Sequence, residues 1–291
     1  MGEKNQFAKM TWLEINDAVK EERVAVIPAG TLEDHGYHLP VDTDVVIAET
    51  ICQRLADALP RQVVALPPII YGFSPHHLDG PGTVTLRWDT FIESTHQIVS
   101  SLFYHGFRKV LIVNGHGSNE PVLDIAARQA IVGNPDSQCA NISWWNLSKV
   151  QKVVESFRES EWTGHACELE TSMYMAIEGN LVASDLFQED INPRMSKHFW
   201  ADLVSRRPDG FANHVRMTEY WSTVSATGTW GDPRTSSAAK GELMLAAAVE
   251  ELIELVSEFK NRKIVPRDPK QLPEVQRRNS TNLGSTPRFT H

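Results

Sequence analysis

The chain has 291 residues, 41% of them hydrophobic and 22% charged, which is ordinary for a globular protein able to bury a full core. A formal net charge of -9 argues against a phosphate-backbone partner, since nucleic-acid binders carry a basic footprint. Residues Met1 to Met10 are polar and lack an apolar signal core, and no run approaches a membrane span. A cytoplasmic protein with no nucleic-acid and no membrane partner is the expectation.

In chain order, Val24–Ala29 reads as a buried strand and Val45–Leu59 as a helix with Ile47, Ile51, Leu55 and Leu59 on one stripe. Val63–Leu66 is a second strand. Asp89–His105 is a helix stopped by Gly106, and Val110–Val113 a third strand. A helix from about Asn119 to Val132 precedes a fourth strand, Cys139–Trp144. This alternation predicts an α/β protein with a mostly parallel sheet and helices on both faces. After Gly164 the pattern turns helical to about Ile177; residues 180–220 are mixed and mostly loop. Ala238–Phe259 is a long helix closing a domain of residues 1–262. From Lys263 to His291, Pro, Arg, Asn, Ser and Thr dominate, which reads as a flexible tail or a subunit-contacting arm. Three cysteines, Cys52, Cys139 and Cys167, form no Cys-x-x-Cys pair, and their odd number excludes a fully paired framework.

In an open α/β sheet, ligands bind beyond the carboxyl ends of the strands. The first strand runs into Glu33-Asp34-His35-Gly36-Tyr37-His38 and on to Asp42 and Asp44. The third runs into Asn114-Gly115-His116-Gly117-Ser118-Asn119, and the fourth into Trp144-Trp145-Asn146. Glu33, His35, Asp44 and His116 form a mixed imidazole and carboxylate set that suits zinc, manganese or iron. With one further carboxylate, two divalent ions and a bridging hydroxide make a neutral site, and a metal-bound hydroxide is the expected nucleophile. Singly, each residue also has a plainer reading: Glu33 and Asp44 as helix caps, His116 as a turn residue.

The chain resembles the creatininase family of creatinine amidohydrolases. The matching segments are Pro28-Ala-Gly-Thr-Leu-Glu33-Asp-His35-Gly-Tyr-His38-Leu-Pro with Asp44, and Tyr71-Gly-Phe-Ser74 with His77 and Pro81-Gly-Thr83. They continue through Asn114–Asn119, Gly164-His165-Ala-Cys-Glu168-Leu-Glu170-Thr-Ser172 and Gly228-Thr-Trp-Gly-Asp232-Pro with Lys240-Gly241-Glu242. The resemblance implies a three-layer α/β/α fold, two divalent ions per subunit and a homo-oligomer, a hexamer in many members. It also implies hydrolysis of a carbon–nitrogen amide bond in a small-molecule substrate. Carried over, Glu33 and His116 are ligands of one ion and His35 of the other, with Asp44 between them, while His165 resembles the histidine that brings a proton to the leaving nitrogen.

This chain departs from creatininases proper, which place a Glu at Ser118 and no carboxylate at Glu168. It resembles the wider branch, with formamide-cleaving deformylases and a maturase-like peptidase of redox-cofactor biosynthesis. His76 stands where relatives often have Glu, and Gly80 where they often have Phe. Ser74, His77, Ser118, Trp144 and Trp162 are expected at the substrate, with core packing as the alternative for each Trp. Glu168 or Glu170 completes the second metal site. Helical phase sets the two about 200° apart, and His165, three residues before Glu168, favours Glu168 as ligand and catalytic neighbour, leaving Glu170 behind the ligands. A lactam or formamide hydrolase is the leading expectation. A peptidase of a modified peptide and a non-catalytic binding protein are the alternatives.

Overall fold

A computed structural model describes residues 4–191, 196, 198–199, 201–204, 215, 217–268 and 270. The elements are α1 (Trp12–Lys20), β1 (Val24–Ala29), α2 (Thr43–Ala58), β2 (Val63–Ala65), α3 (Trp88–Tyr104), β3 (Lys109–Asn114), α4 (Asn119–Gly133) and β4 (Gln138–Ser143). They continue with α5 (Ser148–Phe157), β5 (Thr163–His165), α6 (Glu168–Glu178), α7 (Trp221–Val224), β6 (Trp230–Gly231) and α8 (Ala238–Asn261).

The central sheet is parallel in the order β2-β1-β3-β4. Because strand side chains alternate, β1 feeds two cores at once. Val24 and Val26 face a cluster with Ile47, Ile51 and Leu55 of α2, backed by Leu169 and Met173 of α6 and by Leu245 and Leu252 of α8. Ala25, Ile27 and Ala29 face the opposite cluster, with Phe91, Val99 and Phe103 of α3 and Leu123 and Ala126 of α4. The three-layer α/β/α arrangement follows from this two-sided burial.

Helix α8 is held at both ends. A Cβ on Gly241 would overlap the Ser172 carbonyl, so the glycine lets α8 and α6 touch backbone to backbone. At the far end Lys109 donates to the carbonyl oxygens of Phe259, Lys260 and Arg262 at 2.6, 2.7 and 2.6 Å, supplying donors and positive charge to the helix C-terminus. Beyond it, residues 263–268 and 270 form neither helix nor strand, and the rest of the expected tail lies outside the described residues. Among the described residues no helix is long and apolar enough to cross a membrane.

One local expectation fails. Gly164 does not open a helix: β5 pairs antiparallel with β6, Ala166 takes a positive φ of 45°, and α6 begins only at Glu168. His165 is therefore a strand residue. Its spacing from Glu168 has no helical meaning.

Candidate metal centre

From β1 the chain passes to β2 on one side, then returns to place β3 on the other. That reversal opens a crevice between the carboxyl ends of β1 and β3, where an open parallel sheet holds its ligands. Much of the motif after β3 builds this crevice. The Asn114 side chain accepts from the His116 N–H at 3.2 Å and donates to the His116 carbonyl at 2.7 Å and to Ser143 Oγ at 3.0 Å. Asn119 donates to the Gly30 carbonyl at 3.1 Å and accepts from the Phe73 N–H at 2.9 Å, tying two loops together. A Cβ on Gly115 would overlap the Asp44 carbonyl oxygen, so only glycine lets the first turn of α2 press against this loop.

Asp44 sits at the centre. Its Oδ1 lies 3.2 Å from His35 Nε2 and its Oδ2 3.2 Å from His116 Nδ1. Glu33 Oε1 lies 3.1 Å from the same His116 nitrogen, and Ser74 Oγ donates to Glu33 Oε2. Each imidazole spends its other nitrogen on the backbone. His116 Nε2–H donates to the Phe73 carbonyl at 3.2 Å, His35 Nδ1–H to the Glu33 carbonyl at 3.2 Å, and His165 Nε2–H to the Asp34 carbonyl at 2.6 Å. These bonds fix which nitrogen of each ring faces the cluster, so that the inward nitrogen offers a lone pair once its proton is displaced, as metal-ligating histidines require. Glu170 approaches from α6, with a carboxylate oxygen within 4.8 Å of ligand atoms on His35 and His165.

Every one of these side chains is buried. Burial opposes ionisation of Glu33, yet the His116 imidazole holds its carboxyl well below the usual range. Burial likewise opposes protonation of His116, but the Glu33 and Asp44 carboxylates push it well above normal. His35 is pushed up to about 10 against its burial, chiefly by Asp44. Glu170 is raised to about 7, mainly by burial. Carboxylates and imidazoles packed this closely demand positive charge between them. The donor set fits a divalent cation: His35 Nε2, Asp44 Oδ2 and Glu170 Oε2 are buried without a hydrogen-bond partner, and no thiolate is present. Beside the cluster is a cavity of about 170 Å³ walled by His76, His77, Ser118, Trp145, Trp221 and Trp230.

The model of the family described as "Creatininase: Creatinine amidohydrolase" matches residues 8–256. The chain belongs to the creatininase family. It is 26% identical to the creatinine amidohydrolase of Pseudomonas putida over 86% of this chain and 95% of that protein. It is 26% identical to the 3-dehydro-scyllo-inosose hydrolase of Thermotoga maritima over 88% and 84%. With the mycofactocin precursor peptide peptidase of Mycolicibacterium smegmatis the identity is 28% over 78% and 81%. A solved mutant creatininase of zinc–zinc type has the same fold at a TM-score of 0.73 and 24% identity, covering 89% of this chain and 99% of its own. Low identity to creatinine amidohydrolase agrees with a wider branch of the family, and membership makes the chain a hydrolase.

Within this creatininase-family site, Glu33, His35, Asp44, His116 and His165 come together, and His77 and Ser118 line the cavity. Glu168 does not join them. Its carboxylate accepts from the Ser160 N–H at 2.7 Å and from Lys240 Nζ at 2.6 Å, on the far side of α6. Glu170, two residues further along α6, takes the inward position, and β5 rather than α6 carries His165. Trp144 is a core residue packed edge-on to Trp145, and it is Trp145 that reaches the cavity. Trp162 is buried outside the cavity wall; its carbonyl accepts from Ser160 Oγ at 2.5 Å. Ser74 holds Glu33 instead of lining the cavity. Trp221 and Trp230 carried no signal in strand order, since they arrive from the far end of the chain. Only the Gly228-Thr-Trp230-Gly231 segment of the resemblance pointed to one of them.

Proposed function

We propose that the protein is a hydrolase of the carbon–nitrogen bond in a small cyclic or linear amide, of lactam or formamide type, dependent on two divalent ions. Zinc, manganese and iron all suit the donors. Glu33 and His116 would hold one ion, His35 and Glu170 the other, and Asp44 both. The observation that carries this reading is the placement of the two Asp44 oxygens, each 3.2 Å from a different imidazole. Bound there, the ions would supply Lewis acidity for the amide carbonyl and a water molecule of lowered pKa. The chain does the rest. Trp145, Trp221 and Trp230 cover a flat substrate and exclude bulk water. His165 aims Nδ1 at the cluster, 3.6 Å from Glu33 Oε1, where it can take up a proton and deliver it to the leaving nitrogen. Burial and the neighbouring His35 keep this imidazole well below the usual histidine range, so it gives up that proton readily.

A cavity of about 170 Å³ favours a small amide over the peptide substrate named for the mycobacterial relative. Exhaustive chelation should abolish turnover of lactams, formamides or hydantoin-like rings, and manganese, zinc or iron should restore it. Full activity after verified metal removal sinks the reading, and activity confined to peptides moves it to the peptidase alternative.

Metal uptake should strengthen as pH rises. An ion must displace the proton that Asp44 helps keep on His35 up to about pH 10, and the one Glu170 holds up to about pH 7. Calorimetry in buffers of different ionisation enthalpy should show proton release on binding. A pH-independent affinity would remove both residues from the ligand set.

His165→Ala should keep both ions and lower kcat by roughly 10²–10⁴. The loss should be steepest for substrates with the most basic leaving amines, as seen by comparing a series of anilides and alkylamides. An equal loss across that series assigns His165 to packing.

A further inference from the structure

Asp34 lies between two site residues yet points away from the Asp44 cluster. Its carboxylate accepts from His77 Nδ1–H at 3.0 Å, and its Oδ1 also lies 3.4 Å from Thr83 Oγ1, a hydroxyl that accepts from the Asp34 N–H at 3.1 Å. The socket for this carboxylate is built from missing side chains. A Cβ on Gly80 would overlap the carboxyl group, and one on Gly228 would fall 2.8 Å from Oδ2. His77 is locked in turn. It stacks on Trp221 with centroids 4.6 Å apart and planes at 18°, and it is 3% exposed.

An imidazole that donates through Nδ1 to a carboxylate carries its proton there, which leaves Nε2 as an acceptor. That Nε2 faces the cavity beside the cluster, 3.9 Å from Glu33 Oε2 and beyond hydrogen-bond reach of it. An acceptor that lines the cavity can take a donor from the bound molecule.

We propose that Asp34 is the positioning residue for His77, and that His77 Nε2 accepts the N–H of a bound amide, so that the site selects primary and secondary amides over N,N-disubstituted ones. This rests on the hydrolase reading for the nature of the ligand, although the fixed tautomer stands without it. Because the His165 bond goes to the Asp34 backbone carbonyl, removing the Asp34 side chain leaves that imidazole in place.

The test uses the metal-loaded full chain with 2-pyrrolidone and N-methyl-2-pyrrolidone as probes. Wild type should bind the N–H lactam about tenfold more tightly, the worth of one good hydrogen bond. Asp34→Ala should bring that ratio to about one with metal content unchanged, and Asp34→Asn, which keeps an acceptor oxygen for Nδ1–H, should retain it. Nitrogen-15 spectra should show His77 protonated at Nδ1 in wild type and a tautomer mixture in Asp34→Ala, with or without metal. Equal or undetectable affinity for the two lactams in wild type, an unchanged ratio in Asp34→Ala, or a proton on His77 Nε2 each overturns the proposal. A wild-type protein that takes up no metal sinks the hydrolase reading alone, because the tautomer spectra still decide the role of Asp34.

Discussion

Glu170→Gln should lose one of the two ions with little change in stability, whereas Glu168→Ala should keep both ions and lose about 3–5 kcal/mol of stability, the usual cost of breaking a buried ion pair. The two carboxylates start the same helix and face opposite ways. Glu168 is fully buried against Lys240, whose side chain is itself only 14% exposed, and accepts from the backbone of Glu159 and Ser160. Taking it away leaves two N–H donors without an acceptor beneath the 159–160 turn, and Lys240 with only the Glu159 carboxylate and the Thr235 carbonyl as partners. Glu170 instead shows an unpartnered oxygen to the cluster. As a neutral amide it keeps its volume but loses the charge that would hold a divalent ion. Elemental analysis beside chemical denaturation separates the two roles. A Glu168 variant that loses metal at unchanged stability would reverse them.

Asp44→Ala should empty the site of both proposed ions and reduce turnover to background, a larger loss than His35→Ala, which on the proposed assignment removes a ligand of one ion. Two divalent cations held in one buried site would repel strongly, and the Asp44 carboxylate would offset that repulsion for both. The fold should survive the change. Asp44 lies in the first turn of α2 but does not cap it: the N-cap position is Asp42, with no side-chain cap bond. Helix content by circular dichroism is thus the control, with metal content as the readout. Two ions retained in Asp44→Ala would end the bridging role.

The plainer reading of Asp44 as a helix cap fails on that same geometry, and its failure shows how far residue patterns reach here. Strand and helix periodicities in residues 24–144 determined the parallel sheet with helices on both faces, because β1 and β3 bury both sides and read as continuous apolar runs. Knowing that ligands gather at strand ends then brought Glu33, His35, Asp44 and His116 to one crevice, since each lies between its strand and the first turn of the helix that follows. Residues near one another in sequence were legible. Tertiary structure decided the rest. That His165 is a strand residue, with α6 starting only at Glu168, depends on β6, which arrives from residues 230–231 to pair with β5. The cavity wall of Trp221 and Trp230, and the Gly80 and Gly228 socket of Asp34, come from segments far apart in the chain. No local pattern encodes such contacts; they exist only once the helices have packed and the distant loop has closed over the strand ends.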